Sequence, residues 1–171
     1  MSFQIRYSPR IGKDDIMQTD SPGVNLMPPA VFFTCLIGGF ILEWVLPSRI
    51  PLLPAGVGAA LGAVIGLAGF LFMVYANDIF KRAGTNVPTN LPATAIISHG
   101  AYQFSRNPMY VGGAAFFIGI ALTAGSIWLL VAFIPLAAYL IGYVIPREEA
   151  YMERAFGETY ANYRRNVRRF L

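Results

Sequence analysis

The sequence predicts an all-α fold: an integral membrane helical bundle of about four transmembrane helices, with a C-terminal helix at the cytoplasmic interface. Three observations lead there. The 171 residues are 56% hydrophobic and 13% charged, about half the charge fraction of a soluble domain. The charges are also segregated. Only Glu43, Arg49 and Asp78 fall between Pro29 and Phe80, and none falls between Met109 and Pro146. Finally, the apolar runs are bounded by proline, glycine or charge, as membrane-crossing rods are.

Residues 1–28 carry both signs of charge together with Pro9, Pro22 and Pro28. This arm reads as solvated or lying on the surface, with Ile11, Ile16 and Met17 able to touch an interface, and not as a signal peptide. Residues 29–171 read as a single membrane domain. Its first span, Pro29 to Leu46, is about 27 Å long at 1.5 Å per residue, just enough for the hydrocarbon layer. Glu43 lies near its end beside Trp44, within reach of headgroup water, which favours a structural role over a catalytic one. After a proline-rich turn (Pro47 to Pro54), the second span runs from about Ala55 to Phe80. Gly58, Gly62 and Gly66 recur every fourth residue there and line one helix face. Such a face lets a second helix approach closely, either the first span or another copy of the chain in a homo-oligomer.

Gly84, Pro88 and Pro92 rule out regular structure in the next loop. A third apolar helix runs from Pro108 to about Thr123. Gly125 turns the chain, and Ile127 to Ile145 form a fourth, with Pro135 as an expected kink. These two make an antiparallel hairpin. Beyond Pro146 the chain turns polar, and Gly157 stops a short helix. Glu158 to Phe170 then read as a surface helix whose Arg164, Arg165, Arg168 and Arg169 face anionic lipid headgroups. Lipid is thus the expected partner of the basic residues, and nucleic acid is not. The arm, the second loop and the tail hold twelve basic residues between them, against one, Arg49, in the turns opposite. The positive-inside rule places both termini and the second loop in the cytoplasm.

The candidate site is the polar stretch Ser98 to Tyr110. Asn107 is positioned as the N-cap of the third helix, with Pro108 in its first turn. A helix starting here aims free N–H groups and the positive end of its dipole at whatever covers the loop, which suits a carboxylate or phosphate. The hairpin must return Glu148 and Glu149 to the level of Asn107. Adjacent carboxylates repel, so a cation should sit beside them. It could be internal, Arg106 or Arg147, making an ion-paired latch, or it could belong to a ligand. A single cysteine, Cys35, and a single histidine, His99, leave no multi-histidine or C-x-x-C metal site.

The ordered set Gly100-x-Tyr102-x-x-x-Arg106-x-Pro108-x-Tyr110, an apolar hairpin, Glu148-Glu149, and Phe156-Gly157-x-x-Tyr160-x-x-Tyr163 resembles the isoprenylcysteine carboxyl methyltransferase and phospholipid methyltransferase superfamily of integral membrane enzymes. Arg82-Ala83-Gly84-Thr85 and Val87-Pro88 resemble the loop of its bacterial members. The likeness covers roughly residues 55–171. It implies S-adenosylmethionine as methyl donor, held by about residues 81–171, and a lipidic or other hydrophobic small-molecule acceptor entering from the bilayer.

On that resemblance His99, Gly100, Tyr102, Asn107, Pro108, Tyr110 and Glu148 are expected to bind the cofactor, and Arg106 and Glu149 to be catalytic. Arg106, His99 and the helix start would hold the amino-acid carboxylate. Glu148 would take the ribose or the ammonium, and the two tyrosines the adenine or the sulfonium. The eukaryotic prenylcysteine enzymes have histidine where this chain has Asn107. Asparagine is no base, so a carboxylate acceptor, which needs none, is favoured. An amine would call on Glu149. Two other readings stand beside this one: an NAD(P)H-dependent membrane reductase of the sterol-reductase type, and a non-enzymatic scaffold packing a partner on its glycine face.

Overall fold

A computed structural model describes residues 21–50, 54–84, 93 and 95–171. The expectations for Ile11, Ile16 and Met17 of the arm, and for the loop Thr85–Pro92, fall outside these residues. The described chain forms α1 (Pro28–Val45), α2 (Ala55–Arg82), a 3₁₀ turn (Gly100–Gln103), α3 (Pro108–Ala124), α4 (Ile127–Tyr139), a π-helical turn (Leu140–Val144), α5 (Ile145–Phe156) and α6 (Glu158–Asn166). Three rods are long and apolar enough to cross a membrane: Pro28–Val45, Gly56–Arg82 and Ile127–Phe156. The Pro108–Ala124 helix is shorter but equally apolar. The protein is an integral membrane helical bundle.

The fourth helix does not end at Pro146 as the sequence reading expected. Pro146 has no N–H to give the carbonyl of Gly142, four residues back, and its ring crowds that turn. The chain widens into the π turn immediately before it, and the backbone stays helical at Leu140 and Ile145. Such a bulge absorbs the defect without breaking the helix. The single rod Ile127–Phe156 is about 45 Å long, so its polar end stands beyond a hydrocarbon layer of roughly 30 Å. The 28-residue α2, about 42 Å, likewise carries Asp78, Lys81 and Arg82 past the apolar zone. These two overhanging ends wall the site.

The glycine face of α2 packs within the bundle, but against α3 and not against the first span. A Cβ on Gly62 would lie 2.4 Å from the Thr123 nitrogen, and one on Gly69 would lie 2.6 Å from the Phe116 nitrogen. The two backbones touch directly along most of α3. In lipid, where helices gain nothing by hiding apolar surface, such contact is what holds them together. Helix α1 packs on α4 instead. Gly39 lies against Leu129 and Ala132, and Phe117, Leu136, Leu140 and Val144 form a core behind it.

The arm is not solvated along its whole length. Val24 is buried among Leu136, Leu140 and Val144, and the Leu26 carbonyl accepts a hydrogen bond from the Tyr139 hydroxyl. Residues 21–27 therefore lie folded against α4.

At the end of the bundle away from the arm, Glu43 ties two turns together. Its carboxylate accepts from the Ser48 N–H at 2.8 Å, the Ser48 hydroxyl at 2.6 Å and the Ser126 hydroxyl. Ser126 is fully buried and caps α4 by accepting from the Leu129 N–H at 3.2 Å. Glu43 thus links the turns after α1 and after α3 through one carboxylate. Ser126→Ala removes the cap and one of the three donors, and is expected to lower stability by about 1–2 kcal/mol, read as a lower melting temperature in detergent with the helical content unchanged.

Candidate active site

The site is assembled at the other end, where α3 starts and α5 arrives. Gly100 opens the loop with φ +60°, and a Cβ there would meet Ile79 at 2.6 Å and the Tyr75 hydroxyl at 3.1 Å. Only glycine fits that twist and that approach to α2. The loop is thereby pressed onto α2, with Tyr102 buried against Phe80, ring centroids 4.9 Å apart.

Asn107 precedes α3 and Pro108 lies in its first turn, but the asparagine side chain makes no cap. Its amide Nδ2 donates instead to the carbonyl of Arg169, at 3.0 Å. The first turn of α3 thus keeps N–H groups that no side chain satisfies.

The hairpin brings both glutamates to this corner. The Tyr110 hydroxyl donates to Glu148 Oε1 at 2.7 Å. Among the described residues, Glu148 has no cationic partner. Glu149 is held twice. Arg106 Nη1 lies 2.9 Å from its Oε1, with both side chains only 9% exposed. Arg169 donates through Nε to Oε1 at 3.1 Å and through Nη2 to Oε2 at 2.5 Å. Both oxygens of Glu149 are therefore engaged by guanidinium groups. Arg147, the other cation considered for the glutamates, turns away and stacks over the Tyr143 ring, 4.2 Å from its centroid.

The second guanidinium is the part that sequence reasoning missed. Helix α6 ends at Asn166, not near Phe170, and Val167 is extended. The tail then runs beside the loop. The Arg106 N–H donates to the Arg168 carbonyl at 2.9 Å, and the Ser105 hydroxyl donates to the Arg169 carbonyl at 3.3 Å. The Tyr163 hydroxyl donates to the Tyr102 carbonyl at 2.7 Å. Instead of lying wholly on the lipid surface, the tail straps the site. The available signal was charge: two neighbouring acids called for more than one cation.

Between loop, glutamates and helices lies a cavity of about 620 Å³, within the range of roughly 300–1,000 Å³ typical of small-molecule sites. Its polar wall comes from Tyr102, Arg106, Asn107, Glu148, Tyr160 and Tyr163. Its apolar wall comes from Phe32, Phe33, Phe70, Met73, Phe116 and Leu140, side chains of the membrane-crossing helices. Pro108, Tyr110 and Glu149 also line it, whereas His99 and Gly100 do not.

Among the described residues, two groups in this wall find no hydrogen-bond partner although buried: the Tyr102 hydroxyl, and Arg106 at Nε and Nη1. For Arg106 Nη1 the approach to Glu149 is thus an ion pair by distance, without hydrogen-bond geometry. Burial pushes the Tyr102 and Tyr163 phenols well above the ordinary tyrosine range; Glu148 adds to the rise at Tyr102, while Arg106 partly offsets it at Tyr163. Both stay neutral donors at physiological pH.

A solved structure titled as the eukaryotic intramembrane Ras methyltransferase, isoprenylcysteine carboxyl methyltransferase, superposes on this chain with a TM-score of 0.62 at 18% identity. The match covers 85% of this chain and 52% of that one, so this chain spans about half the length of that enzyme. The fold is shared. No curated protein matches the sequence. A sequence model described as phospholipid methyltransferase matches residues 57–159, a stretch that holds the glycine seam, the loop, the hairpin and both glutamates. The chain belongs to the phospholipid methyltransferase family of membrane methyltransferases.

Proposed function

We propose that this protein transfers a methyl group from S-adenosylmethionine to the carboxylate of a lipidic acceptor at the cytoplasmic face of a membrane. The observation that carries the reading is the two-ended cavity: a polar wall with unsatisfied buried groups, continuous with an apolar wall at membrane depth.

The residues present fit that cofactor. Its amino-acid carboxylate would find Arg106 Nε and the uncapped start of α3. Its ammonium or ribose would meet Glu148, which Tyr110 holds in place through one oxygen. The orphaned Tyr102 hydroxyl would donate to a ribose or carboxylate oxygen. When bound, the sulfonium supplies an electrophilic methyl group. The protein's share is alignment, since an in-line displacement gains most from holding its reacting atoms collinear.

Glu149 serves to hold Arg106, because both of its oxygens are engaged by arginines. Neither Asn107 nor Glu149 is then free to take a proton, which suits a carboxylate acceptor, whose attacking oxygen has none to lose. The carboxyl methyltransferase named for the matching fold supports the same class. Phe32, Phe70 and Phe116 would receive the acceptor's apolar chain, with Phe116 stacked on Phe32 at 6.1 Å and tilted on Phe70 at 5.3 Å. The family match favours this reading over the reductase, and the unsatisfied polar wall favours it over a scaffold.

Calorimetry with S-adenosylhomocysteine tests it. Purified protein in detergent is expected to bind, and Glu148→Ala to bind at least tenfold more weakly, a loss of about 1.4 kcal/mol or more. No heat from wild type at a ligand concentration of about 1 mM, a Kd worth only about 4 kcal/mol, contradicts the reading.

A further inference from the structure

We infer that Arg169, in the C-terminal strap, is a positioning residue that keeps Arg106 available to an anion in the cavity by sharing Glu149 with it. The inference deepens the proposed function, since it concerns the same site, and it assigns the strap a part in recognising an anionic group, a carboxylate or phosphate, of a cavity ligand.

The three charges form a chain. Arg106 and Glu149 both line the cavity and are buried, and Arg169 is 39% exposed. Two guanidiniums and one carboxylate leave these three groups with a net charge of +1, beside the separate Glu148 carboxylate in the same wall. Glu149 Oε2 lies 2.5 Å from Arg169 Nη2, and its Oε1 is divided between Arg169 Nε at 3.1 Å and Arg106 Nη1 at 2.9 Å. Arg106 therefore keeps Nε and Nη1 without hydrogen bonds, and so has donors left for an anion. Without Arg169, Glu149 would be free to pair with Arg106 alone. That pair is neutral, and its best geometry is bidentate, which uses the very donors the cavity needs. A buried cation that is half claimed by a carboxylate attracts an anion much more weakly than one whose carboxylate is claimed elsewhere.

The rest of the strap lets the side chain be tested on its own. The Arg169 carbonyl accepts from Asn107 Nδ2 and Ser105, and the Arg168 carbonyl accepts from the Arg106 N–H. These are backbone acceptors, so any side chain at 169 leaves them in place. The guanidinium is 39% exposed, so removing it opens no hole in a core.

The experiment uses the full chain in detergent, as wild type, Arg169→Gln and Arg169→Lys, with three probes. S-adenosylhomocysteine has the amino-acid carboxylate. Methylthioadenosine has the same nucleoside and thioether without it. Dodecyl phosphate offers an anion on an apolar chain and stands for the acceptor side. Melting temperature is measured without ligand on each variant.

Arg169→Gln is expected to weaken S-adenosylhomocysteine about tenfold, the effect of losing one charge-assisted contact, while methylthioadenosine binds as to wild type. Arg169→Lys is expected to recover most of the loss. A loss confined to dodecyl phosphate supports the inference and assigns the anion to the acceptor. An equal loss for all three probes, or no loss for either anion, overturns it and leaves Arg169 a merely structural clamp. If wild type binds neither nucleoside but binds dodecyl phosphate in an Arg169-dependent way, the inference stands and the methyltransferase reading fails. If wild type binds none of the three, both fail.

Discussion

Gly119→Ala is expected to deprive this protein of its folded bundle. A Cβ at that position would lie 2.3 Å from the Cα and from the nitrogen of Gly66, and 2.7 Å from the Gly62 carbonyl oxygen. These are backbone atoms of α2, with no rotamer to change, so the two helices must part. Parting removes the close packing that substitutes in lipid for the hydrophobic effect. Overpacking of a core costs about 1–3 kcal/mol when side chains can adjust. Here they cannot, and the cost should reach about 3 kcal/mol or more. Gly38→Ala is the control, because a Cβ there meets nothing within 4 Å. Size-exclusion profiles and melting temperatures in detergent compare the two. A Gly119→Ala protein that elutes and melts like Gly38→Ala would show that α2 and α3 are not packed as described.

Glu149→Ala carries the second large effect, on stability and on the site together. Arg106 and Glu149 are each 9% exposed at the side chain. Deleting the acid strands a guanidinium that is almost out of water. Breaking a buried pair from one side typically costs about 3–5 kcal/mol, most of it for the charge left behind. The same deletion at an exposed pair, Glu158 with Arg165, at 82% and 62% exposure, falls in the class of surface pairs that contribute little. Glu149→Ala should therefore melt far below Glu158→Ala. The double variant Glu149→Ala with Arg106→Leu should recover part of the loss, because the stranded guanidinium is then gone. Equal melting of the two single variants would mean that Arg106 is solvated and the latch is not a buried one.

The parts of this molecule that were legible in its sequence are those set by local pattern. Segregated charge and four apolar runs gave the bundle. Pro108 and Gly125 gave the ends of α3 to within a residue or two, and the parity of the hairpin returned Glu148 and Glu149 to the level of Asn107. Parts that depend on three-dimensional choice were not legible. Every fourth glycine announces a close approach but does not say by which helix, and it was α3. Pro146 marks a helix defect, but a π turn can absorb it where a break was expected. The tail shows the same limit most plainly. Arg164, Arg165, Arg168 and Arg169 look alike in a string of letters. One of them turns inward because the chain becomes extended at Val167, and nothing local in Val167-Arg168-Arg169-Phe170 compels that. The place of Asn107 before Pro108 predicts a cap. The residue is in that place, but its amide spans the gap to the strap.

The glutamate pair looks like a unit on paper, yet its members have unlike surroundings. Glu148 meets a tyrosine hydroxyl, and Glu149 sits between two arginines. Two acids with different partners can do two different things. The one facing a neutral donor is the one left to contact a ligand.

The most direct test of the central claim is transfer itself. Purified protein is incubated with S-adenosylmethionine deuterated at its methyl group and an extract of membrane lipids, and the lipids are then read by mass spectrometry. The account predicts a lipid class heavier by one labelled methyl group, labile to mild alkali as a methyl ester is, and absent when Glu148 is replaced by Ala. A label on a soluble product, or no label from a wild-type protein that binds S-adenosylhomocysteine, would contradict it.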